Sequence, residues 1–151
     1  MRRLLATAFI LTFACVVPVG AADKDKPKDT DKSAATRKAL AATKISVDWK
    51  DTLAQDVVEE LTKKLKEDGK AEVTFKVDTS VSGLNTNKKI TYSSGGKAKP
   101  VTEILDEMCK KNELGYIVIS GSYAGKKYPA AKYDGAVILT KGDERGYPSA
   151  K

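Results

Sequence analysis

The sequence predicts an α+β fold in which two βαβ units pack two helices on small sheets and a β-hairpin follows them. Three observations support this fold class. Short segments alternate apolar and polar residues, as half-buried strands do, and two longer segments carry apolar residues three and four positions apart, as amphipathic helices do. Two runs rich in β-branched residues then come close together near the end of the chain.

The first 22 residues have the three parts of a secretory signal peptide. Arg2 and Arg3 precede an uncharged apolar run over 4–19, and small residues follow it up to Ala22. A membrane anchor is the alternative interpretation, but the run is short for a span, Pro18 interrupts its end, and small residues follow it where an anchor would prefer aromatic or basic ones. We therefore expect a periplasmic or secreted protein, cleaved near Ala22, with no transmembrane span in the mature chain.

Residues 23–44 predict a flexible, charged tether. They mix seven basic and four acidic side chains with alanine and threonine, and they lack the large apolar residues that offset the entropy of ordering. The part from 34 to 44 is rich in alanine but shows no apolar stripe. Order is therefore expected over 45–140, with a polar tail over 141–151.

The first βαβ unit is expected to begin with a strand in which Ile45, Val47 and Trp49 face inward. A helix follows, capped by Asp51 or Thr52. Its apolar face is expected to consist of residues four positions apart: Leu53, Val57, Leu61 and Leu65. Gly69 is expected to end the helix. A strand containing Val73, Phe75 and Val77 completes the unit.

The second unit starts with a strand through Ile90 and Tyr92. A second helix is expected to begin near Pro100, to end around Asn112 and to bury Cys109. The segments 115–120 (GYIVIS) and 135–140 (GAVILT) then predict the terminal hairpin.

Three segments resemble the secretin and TonB short N-terminal domain, a small periplasmic module. They are ISVDWKDTLAQDVVEEL, VTFKVDTSVSGLNTNKKITY and KPVTEILDEMCKKNELGYIVIS, and together they span residues 45 to about 120. The resemblance implies two βαβ units and a role in protein contact or signal transfer, with no cofactor and no catalysis. Since no β-barrel or secretin core follows among the residues up to Lys151, a free-standing relative is expected.

The composition gives little basis for an enzyme. No histidine occurs, which excludes histidine-dependent triads and histidine metal sites. Signal cleavage leaves Cys109 as the one cysteine, on the apolar face of a helix with no histidine to activate it. We expect no catalytic residues, no metal ligands and no cofactor.

The connection over 121–134 is the candidate binding site. It interleaves three tyrosines with three lysines opposed only by Asp134, a pattern that can hold an acidic protein surface or an anionic polysaccharide by contact area and charge. The alternative is a solubilised loop whose tyrosines fold back onto the sheet. The candidate residues are Tyr123, Lys126, Lys127, Tyr128, Lys132 and Tyr133.

The sequence is compatible with two functions. The first is a non-enzymatic interaction or assembly module that docks to an envelope protein through a sheet edge or a helix face. The second is a basic surface that binds anionic envelope polymers through residues 121–134. Nucleic acid is not expected as a partner, because an exported protein acts outside the cytoplasm, away from the nucleic acids of the cell.

Overall fold

The computed structural model describes residues 28–68, 71–79, 82–121 and 130–147. Both the predicted signal peptide and residues 23–27 lie outside the described residues, as does Gly69. The described chain is α+β, as predicted. Its elements are α1 (Asp31–Ala42), β1 (Lys44–Ile45), β2 (Asp48–Leu53), α2 (Ala54–Asp68), β3 (Phe75–Val77), β4 (Lys89–Ser93), β5 (Lys99–Pro100), α3 (Val101–Asn112), β6 (Gly115–Val118), α4 (Ala130–Tyr133), β7 (Val137–Thr140) and β8 (Arg145–Gly146).

The strands form three small sheets. Strand β1 pairs with β5, β2 pairs antiparallel with β4, and a four-stranded sheet has the order β3-β7-β6-β8. In the last sheet β6 and β7 are the predicted hairpin, with Ile117 opposite Ile138, while β3 and β8 join its two sides in parallel. Each βαβ unit therefore gives one strand to the β2–β4 pair and one to the four-stranded sheet.

The core lies around α2 and α3, each of which contacts strands of all three sheets. Period-two and helical spacing predicted the buried faces well. Ile45, Val47 and Trp49 are all buried, and Cys109 is 0% exposed on α3. The largest fully buried side chains of the two helices are Val57, Val58, Leu61, Leu65, Ile104, Leu105 and Met108.

The predicted side-chain cap of the first amphipathic helix is wrong. Strand β2 continues through Thr52 to Leu53, with a bulge at which Asp51 adopts a positive φ of 53°. The amides of Ala54 and Gln55 donate to the carbonyls of Lys88 and Thr86, at 2.8 and 3.4 Å. Since backbone carbonyls satisfy these donors at the start of α2, a capping side chain is not needed.

The predicted tether is also wrong for the residues beyond 30. Helix α1 occupies Asp31–Ala42, and Leu40 is 1% exposed within the main core. Its other buried residues are the small polar Ser33 and Thr36, which a search for an apolar stripe does not register. The helix is therefore ordered by polar contacts and one leucine.

The predicted polar tail also contains structure. Strand β8 pairs with β6, and the guanidinium of Arg145 donates to the carbonyl of Leu114 at 3.0 Å. Beyond it, the guanidinium of Arg37 on α1 stacks on the ring of Tyr147, 3.6 Å from the centroid. Residues 145–147 thus add an edge strand to the four-stranded sheet and contact α1.

Candidate functional site

Helix α1 is anchored where the chain enters β7. Gly135 has a φ of +83°, and a Cβ at this position would lie 3.2 Å from the Cβ of Lys32 and 3.3 Å from Oγ1 of Thr36. Glycine thus allows both the left-handed conformation and the close approach of the helix. The hydroxyl of Thr36 uses this approach to donate to the carbonyl of Gly135 at 2.7 Å.

Asp134 connects three distant parts of the chain. Its Oδ1 accepts from the hydroxyl of Thr30 at 2.6 Å and from the amide of Gly121 at 3.1 Å. Thr30 is the N-cap of α1, and its own amide donates to the hydroxyl of Ser120 at 2.9 Å. The start of α1, the end of the β6 segment and the start of the β7 segment are therefore held together by one carboxylate and two hydroxyls, those of Asp134, Thr30 and Ser120.

An open groove lies beside this anchor, with a volume of about 620 Å³. We call it the α1 groove. Helix α1 forms one wall, the segment that leads into β3 forms the other, and the end of α4 closes one side. The lining residues are Lys32, Ala35, Thr36, Ala39, Ala71, Glu72, Val73, Thr74, Lys76, Lys132, Tyr133, Asp134, Gly135 and Ala136.

Tyr133 joins the α1 groove to the outer face of the four-stranded sheet. Its half-buried ring packs against a second apolar cluster, separate from the main core, formed by Ile117, Ile119, Ala136 and Ile138. The ammonium groups of Lys76 and Lys132 lie 5.0 and 5.6 Å from its ring centroid. Lys76 reaches this position because it stands opposite Ile138 in the parallel pairing of β3 with β7.

The rim of the α1 groove carries three exposed lysines, Lys32, Lys76 and Lys132. None of the three makes an ion pair with a carboxylate in the described ranges. Elsewhere Lys99 binds both Glu103 and Glu107, at 2.8 and 2.7 Å. The lining of the α1 groove thus carries these three lysines and two acidic residues, Glu72 and Asp134.

The predicted site residues divide into two groups. Lys132 and Tyr133 line the α1 groove, together with Lys32 from the expected tether and Lys76 from a strand. The others, Tyr123, Lys126, Lys127 and Tyr128, lie outside the described residues. Sequence reasoning missed Lys32 and Lys76, because only the docking of α1 and the register of β3 bring them to Tyr133.

Cys109 is not poised for chemistry. Burial raises the pKa of its thiol to about 12, so the nucleophilic thiolate is disfavoured near neutral pH.

A polar network of Tyr92, Glu107 and Lys99 lies on another surface. Tyr92 donates to Glu107 at 2.7 Å, and burial together with this hydrogen bond raises the pKa of Tyr92 to about 12. The hydrogen bonds from Lys99 and Tyr92 in turn lower the pKa of Glu107.

Within the described ranges, no group of three or more histidine, cysteine, aspartate or glutamate residues is arranged to hold a metal ion. Among the same residues, no helix combines the length and the apolar character that a membrane crossing requires. Comparison with known protein families, with curated proteins and with solved structures finds no significant match to this chain.

Proposed function

We propose that this chain is an exported, non-enzymatic interaction module, a free-standing relative of the secretin and TonB short N-terminal domain, which docks to a protein of the cell envelope. The observation that carries the proposal is the α1 groove, an open concavity with three lysines free of ion pairs to described carboxylates. Arrangement of the helices and strands in two βαβ units supports the resemblance, and residues 1–22 support export.

Site-specific photo-crosslinking in the native cells tests the docking. A benzophenone amino acid replaces Ala35, which is exposed in the α1 groove, and a matched variant carries it at Lys66, which is exposed on α2. We expect one discrete adduct from position 35, identified by mass spectrometry as an envelope protein and competed by an excess of unlabelled chain. Equal adducts from both positions, or none from position 35, would contradict the proposal.

Export has its own test. The intact mass of the chain from the native envelope should correspond to a product that begins near Asp23, because the signal peptidase cleaves after small residues. A product that retains residues 1–22 would instead support the membrane anchor.

A second candidate function is the binding of anionic envelope polymers. The same three lysines favour it, since exposed ammonium groups attract any polyanion. The two functions differ in their dependence on salt: polymer binding should weaken steeply with ionic strength, and a protein interface with an apolar centre should not.

A further inference from the structure

We propose that the α1 groove binds a short acidic peptide segment of the partner, with carboxylates at the lysine rim and small apolar side chains on its floor. This inference rests on the proposed function and adds the chemistry of the bound segment. It depends on three properties of the groove: the lysines at its rim, the small apolar side chains of its lining and the partly covered edge of the neighbouring strand β3.

Lysines dominate the charge of the rim. Lys32, Lys76 and Lys132 outnumber the two acidic residues of the lining, and one of these, Asp134, already accepts from Thr30 and Gly121. The ammonium groups of Lys76 and Lys132 also lie 5.0 and 5.6 Å from the centroid of the Tyr133 ring. A carboxylate bound beside this ring is therefore attracted by both lysines.

Small apolar side chains form much of the remaining lining. They come from both walls and from the start of β7: Ala35, Ala39, Ala71, Val73 and Ala136. Val73 and Ala136 are buried, but Ala35 is exposed and Ala39 and Ala71 are half-buried, so these three present small apolar contact area that suits alanine or valine side chains of a peptide. A peptide that alternates acidic and small apolar residues therefore matches both the rim and the floor.

The edge of the sheet beside the groove favours side-chain recognition over strand addition. Strand β3 is an edge strand, but the amide of Phe75 already donates to the hydroxyl of Thr62 on α2, at 3.4 Å. Helix α2 thus covers part of the edge that a further strand would need.

The lining also disfavours a sugar polymer. Stacking on sugars needs open aromatic faces, and Tyr133 is the one aromatic residue that lines the groove among the described residues. Its ring is already in contact with the second apolar cluster and approached by two lysines.

Fluorescence anisotropy with the mature full-length chain tests the proposal. The probe is a fluorescein-labelled peptide of sequence EAEVEA, blocked at both ends, and its neutral counterpart is QAQVQA. We expect EAEVEA to bind at least about tenfold more tightly than QAQVQA, since three carboxylates face three lysines. Comparable affinity for the two peptides, or no binding of EAEVEA, would overturn the inference.

Two sets of variants locate the binding. Changing Lys32, Lys76 and Lys132 to Gln should weaken EAEVEA binding by about tenfold, with an unchanged melting temperature because exposed lysines contribute little to stability. The matched control changes three exposed lysines outside the groove: Lys50, Lys97 and Lys110. Both triple variants alter the net charge equally, so equal losses would show that binding follows overall charge and would overturn the groove assignment.

Ala35→Trp fills the α1 groove without a change of charge. Because Ala35 is exposed on α1, the variant should fold, and it should weaken binding of EAEVEA as strongly as the groove triple variant. Unchanged binding by Ala35→Trp would place the peptide outside the groove and overturn the proposal.

Dextran sulfate separates a polymer site from a peptide site. If it displaces EAEVEA at about 0.01 M salt but binding of EAEVEA persists at about 0.15 M, the peptide assignment is supported. If dextran sulfate binds more tightly than EAEVEA at about 0.01 M salt and binding of EAEVEA is lost at about 0.15 M, the α1 groove is a polymer site and the inference fails. Failure of EAEVEA to bind, together with a specific crosslink from position 35, would retain the proposed docking function and remove the acidic peptide.

Discussion

Helices α1 and α2 are neighbours in the chain and differ in what holds them in place. Helix α2 buries a continuous apolar face through Val57, Val58, Leu61 and Leu65, whereas α1 buries one large apolar side chain, Leu40. Its other contacts include the hydrogen bonds of Thr30 and Thr36 and the stacking of Arg37 on Tyr147. A helix can therefore belong to the fold without an amphipathic pattern, provided that its few polar groups meet specific partners.

The largest effect on stability is expected for a buried leucine of the amphipathic helix α2. Leu61→Asp places a charge at a position that is 0% exposed, and the cost of burying an unpaired carboxylate exceeds the stability of a small domain. We expect loss of the cooperative unfolding transition in circular dichroism. Lys66→Asp, on the exposed side of the same helix, should fold; an unfolded Lys66→Asp would show that helix propensity, not burial, is responsible.

A smaller but clear effect is expected for the single leucine of α1. Leu40→Ala should lower the free energy of unfolding by about 2 to 5 kcal/mol, the usual cost of a large-to-small change in a core. Urea denaturation measures it. A change close to zero would mean that α1 contributes little to the folded domain, as the tether interpretation predicted.

A smaller loss of stability is expected when the hydrogen bond from Thr36 to the carbonyl of Gly135 is removed. Thr36→Val keeps the shape of the side chain, removes the hydroxyl and leaves the carbonyl of Gly135 without its 2.7 Å hydrogen bond. The expected loss is about 1 to 3 kcal/mol, since a buried acceptor is left without a partner. Thr79→Val, at an exposed position, is the control, and an equal loss in the two variants would refute a specific role for the anchor.

The effect expected to be smallest near neutral pH concerns α3, which shares the apolar character of α2. Burial raises the pKa of Cys109 from 9.0 to about 12, so the folded state retains a proton that the unfolded state loses between these values. Stability should therefore fall as pH rises through this window. Cys109→Ala should show a shallower fall in urea titrations at two pH values within it, and identical slopes would contradict the assignment.

The fold class and the positions of α2, α3 and the hairpin could be predicted because each depends on local periodicity. Trp49, Leu61 and Cys109 are buried as their spacing indicates. Helix α1 could not be predicted, because the partners of Thr30 and Thr36 lie about 100 residues away in sequence. Two of the predicted site residues, Lys132 and Tyr133, line the α1 groove, whereas Lys32 and Lys76 reach it only through tertiary structure.

The anchor of α1 also ties the two ends of the domain together. Thr30 and Asp134 are 104 positions apart, so their contact closes a loop that includes nearly the whole domain. Thr36 makes a second contact of this kind with the carbonyl of Gly135. A chain that ends before Gly135 lacks both partners of α1, so the wall that this helix gives to the α1 groove depends on residues at both ends of the domain.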